Sequence, residues 1–135
     1  MKSALKNDYY TRADFIKKFV VKDKQDRYLT LPEKGKIRKM FIEMLYHFND
    51  FNWQLFREIP GNESQKNTIV NKVKSRKNLS TCFIISTDSD YDGKTILVDG
   101  AIENVVGIEG SILIFGDAEI TYYEGEAPGR RYISI

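Results

Sequence analysis

The chain is poor in the residues on which much enzyme and metal chemistry depends. Its 135 residues include one cysteine, one histidine and three prolines. A single cysteine excludes an internal disulfide, and with one histidine it disfavours a structural zinc. One histidine without a nucleophile elbow offers no Ser-His-Asp triad. No glycine-rich phosphate loop ending in G-K-[ST] occurs. The longest unbroken aliphatic or aromatic run is Ile112–Phe115, far short of the roughly 20 residues that a spanning helix needs. The first residues, MKSALKNDYYTRADF, hold no apolar stretch of seven or more, so a secretory signal is not expected. Cys82, inside the run Thr81–Ile85, reads as a buried thiol rather than a catalytic thiolate. The expected compartment is a reducing cytoplasm. No cofactor and no metal is called for.

What the chain does have is aromatic mass: 8 Tyr, 8 Phe and 1 Trp within a 41% hydrophobic composition. That suffices for a core in a chain of one-domain length, and residues 1–135 are read as a single domain. Charge divides sharply along it. Residues 1–77 carry 18 Lys/Arg and 9 Asp/Glu, a net of +9; residues 78–135 carry 3 and 10, a net of −7. The pattern period changes at the same place, from helical to strand-like. The expected fold class is α+β, with N-terminal helices packed on a C-terminal, mainly antiparallel sheet of about five strands.

Thr11 and Asp14 fit a capping box that opens a helix burying Phe15, Ile16, Phe19 and Val20 and fading near Lys22. Pro32 suits the first turn of the next helix. From Ile37 to Phe56 the apolar residues follow helical spacing, which predicts one long helix over residues 36–58, closed by Pro60-Gly61 and packed through Phe41, Met44, Phe48 and Leu55. Ile42, Tyr46 and Trp53 fall on its opposite side, either sandwiched in the fold or offered to another chain. Asn62 to Gln65 signals a further helix from about Glu63 to Arg76, with a strand as the alternative because Thr68, Ile69, Val70 and Val73 are β-branched. The expected strands are Ser80–Thr87, Thr95–Asp99, Ser111–Phe115, Glu119–Tyr123 and Arg130–Ile135, with a short helical turn at Ile102, Val105 and Val106. The last two strands flank Pro128-Gly129 as a hairpin.

Few motifs carry chemistry. Asp88-Ser89-Asp90-Tyr91-Asp92-Gly93 matches the opening of a calcium loop. Strand-like flanks and Asp99 at the twelfth position favour a hairpin connection in which Asp and Gly supply the turn. Lys66–Lys77 holds five basic residues and no acid; it would suit phosphates, yet no aromatic interleaves it and no nucleic-acid motif is present. His47 lies at the edge of the long helix and reads as structural. Asp117 and Glu119 share a strand face and read as solvated. No catalytic residue is assigned.

The run Ile120-Thr121-Tyr122-Tyr123-Glu124-Gly125-Glu126, closing with Arg130-Arg131-Tyr132-Ile133-Ser134-Ile135, makes an acidic, tyrosine-bearing hairpin on a small helix-first domain. In size and layout this resembles bacterial toxin-immunity proteins, the cytoplasmic inhibitors made beside contact-delivered or polymorphic toxins. The resemblance implies a non-enzymatic binder that masks a toxin domain, with no membrane association. Asp88, Asp90, Asp92, Glu119, Glu124 and Glu126 would then cover a cationic, possibly nuclease, surface, with Tyr122 and Tyr123 as anchors. The alternative is a nucleic-acid-associated accessory protein using the basic half.

Overall fold

In the computed structural model, residues 12–31, 35–60, 66–76, 79–116, 118–126 and 131–134 are described. The expected cap at Thr11, Pro32, the expected helix start at Asn62–Gln65, the expected hairpin loop at Pro128-Gly129, and Gly61, Lys77, Asp117, Arg130 and Ile135 lie outside them. The class is α+β: among the described residues there are five α-helices, mostly N-terminal, and a six-stranded antiparallel sheet. The helices are α1 (residues 12–19), α2 (Gln25–Leu29), α3 (Gly35–Met44), α4 (Lys66–Arg76) and α5 (Val98–Val105). The strands are β1 (Phe56–Glu58), β2 (Thr81–Ser86), β3 (Thr95–Leu97), β4 (Ser111–Phe115), β5 (Ile120–Glu124) and β6 (Arg131–Ser134). Their order is β1-β6-β5-β4-β2-β3, with every neighbouring pair antiparallel.

The sheet is covered on both faces, so its central strands are apolar throughout rather than alternating. Phe83, Ile85, Ile112, Ile114 and Tyr123 point to one side, where Phe15, Ile16 and Phe19 of α1, Tyr28 of α2, Phe41 of α3 and then Phe48, Phe51 and Phe56 join them. Cys82, Ile84, Leu113, Phe115, Tyr122 and Ile133 point to the other, under Ile69 and Val73 of α4 and Val98, Ala101, Ile102 and Val105 of α5. Full burial of one such Leu or Ile contributes about 1.5–3 kcal/mol.

The expected long helix is shorter. α3 ends at Met44, a 3-10 turn runs Leu45–His47, and Phe48 is extended (φ −67°, ψ 118°). Asn49, Asp50 and Asn52 are weak helix formers, and tertiary bonds hold the turned chain. The Val21 amide donates to the Asp50 carbonyl at 2.8 Å, and the Asn52 amide to the Phe19 carbonyl at 2.7 Å. Unwinding lets Phe48, Phe51 and Phe56 enter one aromatic cluster; the Phe48 and Phe51 rings are 4.6 Å apart. It also frees Phe56–Glu58 to pair with β6 as a sixth strand. Burial on α3 follows Phe41 and then Leu45, whereas Ile37, Met40 and Met44 are 60%, 59% and 45% exposed. The strand expected over Thr95–Asp99 stops at Leu97, because Val98 already opens α5.

Two glycines bracket β4. Gly110 (φ +76°) and Gly116 (φ +64°) adopt left-handed backbone, and a Cβ there would stand 2.6 Å from Thr87 and 2.8 Å from Leu79. Only glycine fits both the conformation and the space.

The charge asymmetry has an internal use. Arg38 pairs with Asp92 and Lys74 with Asp99, each joining a first-half cation to a second-half acid, and the His47 imidazole adds a contact with Glu126. Lys66 donates to the Glu103 carbonyl at 2.6 Å, and Arg76 to the Ser134 carbonyl. The lysine-rich face of α4 thus fastens that helix to α5 and the sheet.

Candidate functional site

The acidic set expected to face a partner does not form one surface. Tyr122, Tyr123 and Glu124 are 0%, 2% and 4% exposed. β5 lies inside the sheet with a helical layer on each side, so neither tyrosine is a surface anchor. The Tyr122 hydroxyl donates to Glu124 Oε1 at 2.9 Å, and the Gly107 amide donates to the same oxygen at 2.8 Å. Burial, then the neighbouring Glu124 charge, raises the Tyr122 phenol above its ordinary value. Glu119 lies before the start of β5 and Glu126 beyond its end, so the strand's length, roughly 17 Å, separates them.

The loop from Asp88 to Gly93 is a hairpin connection between β2 and β3. Asp88 Oδ1 accepts the Asp90 amide at 2.9 Å, its carbonyl accepts the amides of Tyr91 and Asp92, and Gly93 takes φ +79°. Arg38 Nη2 lies 2.9 Å from both Asp92 carboxylate oxygens, and Asp92 Oδ1 also accepts the Ser86 amide at 3.0 Å. Asp92 is therefore committed to the fold. Asp90 is exposed and Asp88 half-buried. Among the described residues, no group of three or more His, Cys, Asp or Glu is placed to hold a metal ion, and none of their helices is long and apolar enough to cross a membrane.

A different site emerges where α3 ends. As the chain tightens into Leu45–His47, Tyr46 and His47 stay outside while Leu45 and Phe48 turn in. This turn is stitched to β5 and the residues after it. The Phe48 amide donates to the Tyr123 hydroxyl at 3.0 Å, and the Glu126 amide to the Tyr46 carbonyl at 2.9 Å. Gly125 lets the backbone pass over Tyr123, since a Cβ there would meet the phenol oxygen at 3.0 Å. Opposite, Trp53 packs on Tyr132 with ring centroids 4.9 Å apart, and Tyr132 stacks on Tyr123 at 6.3 Å and 18°.

Between these walls runs a groove of about 410 Å³, lined by Tyr46, Trp53, Tyr132, Asn49 and the His47–Glu126 pair, with Tyr123 at its base. His47 Nε2 and Glu126 Oε2 are 2.9 Å apart on an exposed rim. Tyr46 and Trp53 remain 38% and 37% exposed. A neighbouring depression of about 360 Å³, lined by Met40, Glu43 and Met44, shares His47 with the groove. Exposed methionines thus lie on the far side of His47 from the aromatic groove. Of the acidic set, only Glu126 lines it. Helical spacing groups Tyr46 and Trp53 with Ile42 opposite the stripe of one long helix, but that helix ends at Met44 and Ile42 packs on the core; Tyr132 carries no signal, because the pairing of β6 with β1 brings it there.

Comparison of the chain with protein-family models, with curated proteins and with solved structures yields no match.

Proposed function

We propose that the protein is a non-enzymatic, protein-binding inhibitor of the toxin-immunity type, and that it grips its partner through the aromatic groove rather than the acidic hairpin. The observation that carries this reading is the groove lined by exposed Tyr46 and Trp53 and half-buried Tyr132, beside the depression at Met40 and Met44 that shares His47 with it. Tyr and Trp are the side chains most enriched at binding hot spots, and methionine adapts to irregular partners. The rigid backing of Tyr123 supplies preorganisation. The nucleic-acid alternative has less support, because Lys66, Lys74 and Arg76 are engaged within the fold.

The test is coexpression with the toxin encoded beside the gene, scoring rescue of growth and binding of the purified pair. Wild type should rescue. Tyr46→Ala and Trp53→Ala should raise the dissociation rate, each costing about 2 kcal/mol or more if central. Glu126→Lys should change association. Substituting Glu124 would disturb the buried Tyr122 contact and is no test of the interface. Failure of wild type to bind or rescue removes the immunity assignment.

A further inference from the structure

We infer that the groove between Tyr46, Trp53 and Tyr132 receives a guanidinium or ammonium side chain of the partner protein, held against the rings and met by the Glu126 carboxylate. This rests on the groove being the partner surface, and it names the chemistry that the surface takes.

The protein contains a template for the arrangement. Arg38 places its guanidinium 5.2 Å above the Phe41 ring centroid while Nη2 reaches Asp92 at 2.9 Å. A cation thus sits between an aromatic ring and a carboxylate. The groove repeats the aromatic and the anionic parts. Trp53 and two tyrosines provide rings of the kind that attract cations best, Trp above all. Glu126 stands at the rim, its backbone fixed by the Tyr46 carbonyl. Among the described lining residues there is no Lys or Arg to fill the position.

Two further acids adjoin the groove. Glu58 is exposed and directly opposite Tyr132 across the β1–β6 pair, hence on the same face of the sheet. Glu43 lines the adjoining depression. Lys39, one turn before Glu43 on α3, lies outside both linings. His47 is the basic group present, and its contact with Glu126 is solvent-exposed, where such pairs are weak and readily exchanged. An incoming guanidinium would compete with it for the carboxylate through stronger, planar hydrogen bonding. The occupant is a protein side chain because the groove is open and lies beside the depression at Met40 and Met44, which would contact the apolar surface around the inserted cation.

The experiment uses the full chain without any toxin. Trp53 is the single tryptophan, so its indole N–H gives one isolated resonance at the site. N-acetyl-arginine amide is titrated against the labelled protein, with N-acetyl-citrulline amide as the neutral isostere and tetramethylammonium as a small free cation. The arginine probe should shift the Trp53 resonance saturably, and the citrulline probe at least about fivefold more weakly. Glu126→Gln, an exposed position whose change leaves the core intact, should weaken arginine binding about fivefold or more. Tyr46→Ala should do the same while the remaining spectrum stays native. Equal responses to arginine and citrulline, or an unchanged affinity in Glu126→Gln, would overturn the inference. Saturable binding of tetramethylammonium alone would overturn the assignment to a protein side chain. Failure of toxin rescue beside a positive titration would count against the inhibitor function and leave the cation site standing. Rescue that survives Glu126→Gln beside a negative titration would do the reverse.

Discussion

The Tyr123 hydroxyl donates to the Leu45 carbonyl at 2.5 Å, joining residues 78 apart at the point where α3 gives way to its 3-10 turn. The same oxygen accepts the Phe48 amide. One buried phenol thus satisfies two backbone groups that the end of the helix would otherwise leave without partners.

Tyr123→Phe removes both bonds and keeps the ring. It should destabilise the fold by about 1–3 kcal/mol, the cost of leaving buried polar groups unpaired. Urea denaturation checks this. The same variant should loosen the turn beneath Tyr46 and thereby lower affinity at the groove without deleting any groove-lining ring.

Met44, the last residue of α3, and Leu45, the first of the 3-10 turn, should respond very differently to truncation. Leu45 is fully buried, and Leu45→Ala should cost about 2–5 kcal/mol. Met44 is 45% exposed, and Met44→Ala should stay within about 0.5 kcal/mol. Comparable losses in thermal unfolding would mean that α3 turns a different face to the core.

Calcium should leave the melting temperature unchanged at millimolar concentration. Asp92, the third acid of the loop, is occupied by Arg38 and the Ser86 amide. Binding to the native state would instead add about 2.7 kcal/mol at a hundredfold excess over the dissociation constant. Arg38→Ala should be destabilising by about 1.5–3 kcal/mol, as expected for loss of hydrogen bonds to a charged group.

Alkaline pH should weaken the fold. Burial raises the Cys82 thiol, the Tyr28 phenol and the Tyr122 phenol above their ordinary values, with Asp50 and Glu124 adding to the two phenols. A raised value means that the native state holds its proton more tightly than the unfolded state. The stabilisation is therefore complete below the ordinary thiol and phenol range and declines as pH rises through it. The melting temperature should fall in that window. Cys82 should resist a thiol reagent at neutral pH until denaturant unfolds the chain.

The central strands were legible because a doubly covered sheet writes its strands as apolar runs, such as Phe83–Ile85 and Ile112–Phe115. The end of α3 was harder to see. Phe48, Phe51, Leu55 and Phe56 keep near-helical spacing, and spacing does not distinguish one helix from a chain that doubles back to feed one aromatic cluster. Asn49, Asp50 and Asn52 were the local cue. β1 left little mark, since three residues, Phe-Arg-Glu, become a strand only when β6 pairs with them from far along the sequence. The acidic hairpin reads as outward-facing in the sequence because local pattern does not reveal that helices cover both faces of β5, burying Tyr122, Tyr123 and Glu124, with Glu124 met by Arg131 and the Tyr122 hydroxyl. Nor does a net charge of one sign reveal whether the opposite charge is in a partner or in the same molecule. Here Asp92, Asp99 and Glu126 meet bases from the first half. At the groove, the helical angle that groups Tyr46 with Trp53 belongs to a helix that ends before both, so their meeting, like the position of Tyr132, depends on tertiary structure.

The sheet's burial on both faces leaves it without the usual safeguard against slippage. In a half-exposed sheet, sliding a strand by one residue turns its apolar side chains into water and is strongly opposed. Sliding β4 would only exchange Ile112 and Ile114 with Leu113 and Phe115 between two apolar interiors. Alignment must rest on local features instead. The Ser86 and Ser111 hydroxyls, 2.8 Å apart in a buried setting, would lose each other. Gly110 and Gly116 would also be displaced, bringing residues with a Cβ toward left-handed turns that have no room for one. Correct alignment of the central strand is therefore enforced at its two ends, and a side chain added at either glycine would endanger strand pairing before it endangered hydrophobic burial.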